Sequence, residues 1–182
     1  MLSGVRIVDL TQILAGPYGS MLLADLGAEV IKIEEPQKGD PTRQLGPPFV
    51  GGESGYFLSI NRNKRSMALD LRRARGRRVL YDLIRVSEVL FNNFRPGTME
   101  KLGCDCQSLR NVNPRLIYCS LTGFGETGPI RSIGNPVKTS PAEERRFEPA
   151  PLGGKHTEEV LREVLGYSTR RIATLRSEGV IA

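Results

Sequence analysis

Histidine and cysteine are scarce in this chain of 182 residues, which limits the metal and disulfide chemistry open to it. There is one histidine, His156, and there are three cysteines, Cys104, Cys106 and Cys119. An odd number of thiols argues against a disulfide framework. A C-x-C pair with no second pair and no nearby histidine is poor spacing for zinc. We therefore predict free structural thiols and no metal site.

Long apolar runs are also missing. No stretch is long enough to span a membrane, and residues 1–9 lack the basic and apolar regions of a secretory signal. The apolar share of 39% and the charged share of 25% are typical of a soluble globular protein. These features predict one domain, a cytoplasmic location and no membrane partner.

Aspartate does not occur after Asp105. The character of the sequence also changes between Pro129 and Gly134, from strand-like and helix-like segments to a proline- and glycine-rich connection. Short amphipathic segments follow, for which we predict a helix capped by Thr157 and another capped by Ser168. We divide the chain there, into an N-terminal part (residues 1–130) and a C-terminal tail (residues 131–182).

The net charge is +6, and basic residues crowd into residues 62–78. Such a run is typical either of an anion-binding surface or of a solvated helix face. Nucleic acid is a poor partner, because the neighbouring aromatic residues Tyr56, Phe57 and Tyr81 do not alternate with the basic ones as a stacking platform requires.

Apolar runs and helical periodicity alternate along the N-terminal part. A helix is predicted to open at Gly16 and end at Gly27, and a long loop at residues 35–55. The pattern predicts an α/β fold with a mostly parallel sheet and flanking helices. Strands are expected at residues 5–9, 29–34, 66–71, 89–92 and 116–121, and further helices around residues 79–84 and 108–111.

Three loops carry candidate binding groups. Gly123, Gly125 and Gly128 satisfy G-x-G-x-x-G, but Pro129 follows where a dinucleotide site needs a helix, so a glycine-rich ligand loop is the better interpretation. The segment at residues 61–66 is interpreted as a basic loop before a strand. Residues 93–97 follow a strand and offer an aromatic ring and a guanidinium group.

Six segments of the chain, taken in order, resemble the class III CoA-transferases, a group that includes formyl-CoA transferase, carnitine and bile-acid CoA-transferases, and α-methylacyl-CoA racemase. The resemblance implies a Rossmann-like large domain built from both ends of the chain, with a small domain inserted in the middle, and an interlocked homodimer. It also implies transfer of CoA between an acyl-CoA and a small carboxylic acid through an aspartyl-CoA intermediate. The segments are residues 5–34, 61–71, 92–97, 113–129, 134–138 and 152–167.

The same resemblance implies which residues contact coenzyme A. By position in the family's motifs they are Leu14, Ala15, Asn61, Asn63, Lys64, Arg65, Asn93, Phe94, Arg95, Lys101, Gly123 and Phe124.

The chain departs from the family where the chemistry is expected. The resemblance implies a nucleophilic aspartate shortly after the counterpart of Gly128 and Pro129. Within five residues of Pro129, however, the chain reaches Gly134-Asn135-Pro136, a motif that lies far downstream in the family. We predict an internally deleted or truncated member that lacks the small domain and has no catalytic aspartate. Glu126 is at most an assisting residue. Whether the chain is an enzyme stays open, and the alternatives are a non-catalytic acyl-CoA-binding protein and a racemase-type relative.

Overall fold

Five parallel strands form the central sheet of the computed structural model, which describes residues 1–123 and 151–182. The strand order is β5-β2-β1-β6-β7, and Val8 at its centre lies opposite Ile31 and Leu90. A small hairpin is formed by β3 and β4. The strands are β1 (Arg6–Asp9), β2 (Glu29–Glu34), β3 (Phe49–Val50), β4 (Glu53–Ser54), β5 (Lys64–Ala68), β6 (Val89–Asn92) and β7 (Ile117–Ser120).

Helices cover both faces of this sheet. Glycines in the left-handed region end two of the segments, at Gly27 (φ 98°), where the sequence predicted a stop, and at Gly166 (φ 64°). A 3-10 turn spans Pro41–Gln44 and a π-helical turn spans Val160–Val164. The α-helices are α1 (Ala15–Asp25), α2 (Gly55–Ile60), α3 (Ala74–Arg85), α4 (Thr98–Lys101), α5 (Cys106–Val112), α6 (Thr157–Glu159) and α7 (Thr169–Ser177).

Two apolar layers result from the alternation of side chains along the strands. Ile7 and Val30 face α1, where they pack with Ala24 and Ala28. Val8 and its neighbours on the other face join a larger core built with α3, α5 and the C-terminal tail, whose members include Ile31, Leu80, Leu83, Leu90, Val160, Leu161, Ile172 and Leu175. The tail therefore completes the main core, as the predicted α/β fold requires.

The tail also covers the outer edge of β5. The backbone N–H of His156 donates to the Ser66 carbonyl at 2.9 Å, and Nδ1 of His156 accepts the Ser66 N–H at 3.1 Å. The hydroxyl of Thr157 accepts the Ala68 N–H at 2.9 Å. Edge strands otherwise present unpaired backbone groups, so these contacts close that side of the sheet.

Several predicted boundaries are corrected. β5 begins at Lys64, so Lys64 and Arg65 belong to a strand and not to a loop. Thr157 does not cap α6, because His156 holds the N-cap position and the Thr157 hydroxyl bonds to β5. Ser168 does cap α7, accepting the Arg171 N–H at 3.3 Å. The long loop at residues 35–55 contains the 3-10 turn and the hairpin.

Other predictions lie outside the described residues, namely the junction between Pro129 and Gly134, the boundary at residues 130–131, and the positions of Phe124, Gly125 and Glu126. Within the described part of the chain, no helix is long and apolar enough to cross a membrane.

Candidate functional site

The strand order creates a crevice between β1 and β6. From β1 the chain proceeds through α1 to β2 on one side, whereas β6 pairs with β1 on the other side. In open α/β sheets, ligands bind outside the carboxyl ends of the strands at such a switch point. The segments that leave β1 and β6 are therefore the first place to look for a site.

A cavity of about 180 Å³ lies at this carboxyl edge. Its wall is partly apolar, with Phe94 contributed by the segment after β6, and partly charged, with Arg72 contributed by the segment after β5. Its lining consists of Leu10, Gln12, Ile33, Glu34, Glu35, Leu69, Asp70, Leu71, Arg72, Phe94 and Leu102.

Arg72 is the cation of this cavity, and its side chain remains 68% exposed. Its guanidinium donates to Glu35 at 2.7 Å and to Asp70 at 3.0 Å. Partial burial would raise the pKa of Asp70, but hydrogen bonds and charge from Arg72 and Arg73 hold that pKa below its usual value. Arg72 is thus oriented by two carboxylates while one side of it faces solvent.

The segment after β1, residues 10–14, leads into α1 and is here named the β1–α1 loop. Its Ile13 has φ 69°, a left-handed conformation that β-branched residues rarely adopt. Leu14 and Ala15 at the start of α1 are exposed, and no side chain of the described residues caps this helix. Gly16 is buried and Pro17 has no N–H, so Ala15 is the exposed residue whose backbone N–H begins this helix.

Asn93 connects this loop to the segment after β6. Its amide accepts the Gln12 N–H and donates to the Gln12 carbonyl, both at 2.8 Å. This paired contact, across 81 residues of sequence, fixes the two sides of the crevice relative to each other. Phe94 follows directly and lines the cavity.

Charged groups are buried beneath the crevice. Lys32 pairs with Asp40 at 2.8 Å, and Lys64 pairs with Asp9 at 3.1 Å. Burial would raise the pKa of Asp9, but the ammonium groups of Lys64 and Lys32 lower it below its ordinary value. Burial lowers the pKa of Lys64 to about 8, although Asp9 opposes the shift.

A second buried cluster borders the cavity at Glu34. Both Glu34 oxygens accept from the Arg43 guanidinium at 2.7 Å, and one also accepts the Ser66 hydroxyl at 2.6 Å. Burial would raise the pKa of Glu34, yet these hydrogen bonds and the charge of Arg43 lower it. Glu34 is thus ionised and fully engaged.

The structure brings one group of the predicted CoA-contacting residues together at the carboxyl edge. Leu14, Ala15, Asn93 and Phe94 flank the crevice, and Leu121 beside β6 leads to the exposed Gly123. Arg95 follows Phe94, and Lys101 precedes the cavity residue Leu102. Both of these basic residues are exposed.

A second group of predicted residues lies elsewhere. Asn63 directly precedes β5 and so lies at the amino edge, about 16 Å from the carboxyl edge along a five-residue strand. The Asn61 side chain instead accepts from the Lys64 ammonium at 2.8 Å, and that ammonium also bonds to Asp9 and to the Pro17 carbonyl. Asn63 donates to Asp25 at 2.7 Å. The buried Lys64 donates to Asp9, and the next residue, Arg65, points to the opposite face, where it pairs with Glu159 at 3.0 Å. Their contact with CoA stays a prediction.

Sequence reasoning missed the residues after β5 and β2 that line the cavity. Leu69, Asp70, Leu71 and Arg72 directly follow the carboxyl end of β5, and Glu35 follows β2. Their position directly after predicted strands was a usable signal, because the carboxyl ends of parallel strands meet at one edge of the sheet. Placing β5 at residues 66–71 assigned most of these residues to the strand itself.

Most of the basic run is engaged within the molecule. Arg62 pairs with Asp25 at 2.6 Å, Arg73 donates to the Glu178 carbonyl at 2.6 Å, and Arg75 pairs with the Glu178 carboxylate. These contacts neutralise much of the run within the molecule, which argues against the run as a whole being an anion-binding surface. All three cysteines are free thiols, as predicted. The described residues contain no group of three histidine, cysteine or acidic side chains arranged to hold a metal.

Comparison with known proteins decides the family. Residues 2–134 match the sequence model described as CoA-transferase family III. The chain belongs to this family. A succinyl-CoA:glutarate CoA-transferase of Mus musculus is 50% identical over 129 residues, which are 71% of this chain and 30% of that protein. A succinate–glutarate CoA-transferase of Agrobacterium fabrum is 47% identical over 134 residues, or 34% of its length.

Solved structures of similar proteins extend the likeness to the fold. A CAIB/BAIF family protein from Brucella suis is 48% identical with a TM-score of 0.67, over 70% of this chain and 35% of that one. A hypothetical protein (Rv3272) from Mycobacterium tuberculosis is 35% identical with a TM-score of 0.65, over 99% of this chain and 52% of that one. The chain thus spans about a third of its curated relatives and about half of this solved structure.

Proposed function

We propose that this chain binds coenzyme A or an acyl-CoA at the carboxyl edge of its sheet. The observation that carries the proposal is the cavity at the switch point, with Phe94 in its wall and Arg72 exposed beside it. An aromatic ring and apolar walls suit an adenine base, and guanidinium groups suit phosphates. Arg95 and Lys101 add exposed positive charge to adjoining segments.

The size of the cavity supports a proposal about which part of the ligand it would receive. Its volume of about 180 Å³ is below the range of pockets that enclose a whole drug-sized ligand, about 300–1,000 Å³. We therefore propose that the cavity receives only one end of CoA, the base with its phosphates. The pantetheine arm then extends along the open edge past Leu14 and Ala15 towards Gly123.

We further propose that transfer activity is impaired or absent. In the family reaction an aspartate attacks the thioester carbonyl and CoA thiolate leaves; the thiolate then attacks the aspartyl carbonyl and releases the acyl group as carboxylate. Here Asp9 and Asp40 are buried in ion pairs, and Asp70 is held by Arg72 and Arg73. No aspartate follows Asp105 in the sequence.

A non-catalytic acyl-CoA-binding protein is the second candidate, and the same cavity supports it. The racemase-type alternative has less support, because the lone histidine, His156, bonds to the backbone of β5 at its outer edge. If transfer does occur, we propose small dicarboxylic acids as acceptors, since relatives carry the names of succinyl-CoA, glutarate and oxalate transferases.

Titration calorimetry with CoA, beside a turnover assay with succinyl-CoA and glutarate, tests these proposals. We expect saturable CoA binding without turnover. Arg72→Ala should weaken binding about tenfold, the effect of losing one charged hydrogen bond. Arg78→Ala is the matched control, because Arg78 belongs to the same basic run and lies outside the cavity lining.

The outcomes separate the candidates. No binding by the native chain, or equal loss in both variants, contradicts the site. Turnover at rates typical of enzymes would contradict the proposed impairment and would show that the chain is an active transferase.

We also propose self-association, because α1 exposes an apolar face formed by Leu14, Tyr18 and Leu22. Sedimentation velocity measures it.

A cytoplasmic location is supported by the free state of all three cysteines, which is typical of reducing compartments. Cell fractionation with an antibody to the chain tests it.

A further inference from the structure

Every polar atom of Thr11, in the β1–α1 loop, forms a hydrogen bond with a buried charged side chain. Asp9 accepts its N–H at 2.9 Å and its hydroxyl at 2.5 Å. Lys32 donates to its carbonyl at 2.7 Å. Asp9, Thr11 and Lys32 each have no solvent exposure, so these bonds form where water does not compete.

Lys64 completes the arrangement from the strand β5. Its ammonium group donates to Asp9 at 3.1 Å, to the Pro17 carbonyl at 2.8 Å and to the Asn61 side chain at 2.8 Å. All three ammonium protons therefore have acceptors. Because Pro17 belongs to the first turn of α1, Lys64 ties the beginning of that helix to the same aspartate that holds Thr11.

The segment held in this way has an unfavourable backbone conformation. Ile13 is left-handed with φ 69°, two residues after Thr11 and one before Leu14. Thr11 also packs so closely on α1 that a Cβ at Gly16 would lie 2.4 Å from the Thr11 Cβ. Strain of this kind persists only where the surroundings determine the conformation, and it is common at ligand sites.

We propose that Lys32 and Lys64 are positioning residues for the CoA site: with Asp9 they fix Thr11 and so hold the β1–α1 loop in the conformation that exposes Leu14 and Ala15 to the ligand. The inference rests on the proposed CoA function. It explains why two lysines are buried under a loop whose own sequence carries no charge between Leu10 and Ala15.

Two variants separate positioning from simple stability. Lys32→Met removes the donor to Thr11, and Thr11→Val removes the hydroxyl but keeps the side-chain volume. Asn113→Ala is the control, because Asn113 bonds the Ile84 and Ser87 carbonyls at 2.9 Å each, near the amino end of β6. Thr11→Ser retains the hydroxyl and should restore native behaviour.

CoA affinity and amide hydrogen exchange at residues 11–15 are measured for each folded variant. We expect Lys32→Met and Thr11→Val to weaken CoA binding about tenfold and to speed exchange in the loop, whereas Asn113→Ala changes neither even if it melts earlier. Native affinity in Lys32→Met or Thr11→Val, or equal weakening in the control, overturns the inference. If the native chain binds no CoA, the proposed function fails, and the loop exchange still decides whether the lysines position the loop.

Discussion

Lys64 shows at the scale of one residue how a buried charge can lower the free energy of unfolding. Its ammonium group has three acceptors, yet burial outweighs the attraction of Asp9 and lowers its pKa from 10.5 to about 8. Taking an ion pair out of water often costs more than the pairing returns. At neutral pH, the charged lysine therefore lowers the free energy of unfolding. We attribute its presence to its role in holding the β1–α1 loop for ligand binding.

The pH dependence of stability should reveal this cost. Between about pH 8 and pH 10.5 the unfolded chain binds a proton at Lys64 that the folded chain has released, so the free energy of unfolding rises with pH. The gain at this residue amounts to about 3 kcal/mol over the interval. Urea unfolding of the native chain and of Lys64→Met across this range isolates it, since other titrating groups are common to both. Parallel stability curves for the two proteins would contradict the shift.

Strands and helices were predictable where their signal is local. The strands β2 and β6 have their predicted ends, because β2 is rich in the β-branched residues Val30, Ile31 and Ile33 and β6 is a short, mostly apolar run. The start of β5 was not predicted correctly, because Lys64 is charged and its partner Asp9 lies 55 residues away. Within the candidate site, Asn93 and Phe94 were predicted from the sequence. The contribution of Arg72 required the correct end of β5.

The contact of the tail with β5 gives a prediction at the scale of these elements. Thr157→Val keeps the buried shape but leaves the Ala68 N–H without its acceptor, and an unmet buried donor costs about 1–3 kcal/mol. Thr174→Val is the control, because the Thr174 hydroxyl donates to the Arg170 carbonyl on the exposed face of α7. Urea unfolding should show the loss only in Thr157→Val, together with faster hydrogen exchange at Ala68. An equal effect in both variants would show that the hydrogen bond between Thr157 and Ala68 contributes nothing specific to stability.

At the scale of the whole molecule, α1 has an exposed apolar face among the described residues. Leu14, Tyr18 and Leu22 recur every four residues and are 48%, 48% and 43% exposed, so they form one apolar face along the helix. Exposed apolar faces of this kind mark association surfaces. The aligned residues make up 30% of the relative from Mus musculus.

Association through this face is tested by placing a charge in it. Leu22→Glu would bury an unpaired carboxylate in any contact between two α1 helices, which is strongly unfavourable. Leu22 is nearly half exposed in the single chain, so the fold itself should tolerate the change, as near-native circular dichroism would show. We expect the native chain to sediment as a dimer or larger species and Leu22→Glu to sediment as a monomer. Ala173→Glu, at an exposed position of α7, adds the same charge away from the face and should leave association unchanged. A native chain that sediments as a monomer at all concentrations would contradict the proposal, and dissociation by both variants would assign the effect to net charge.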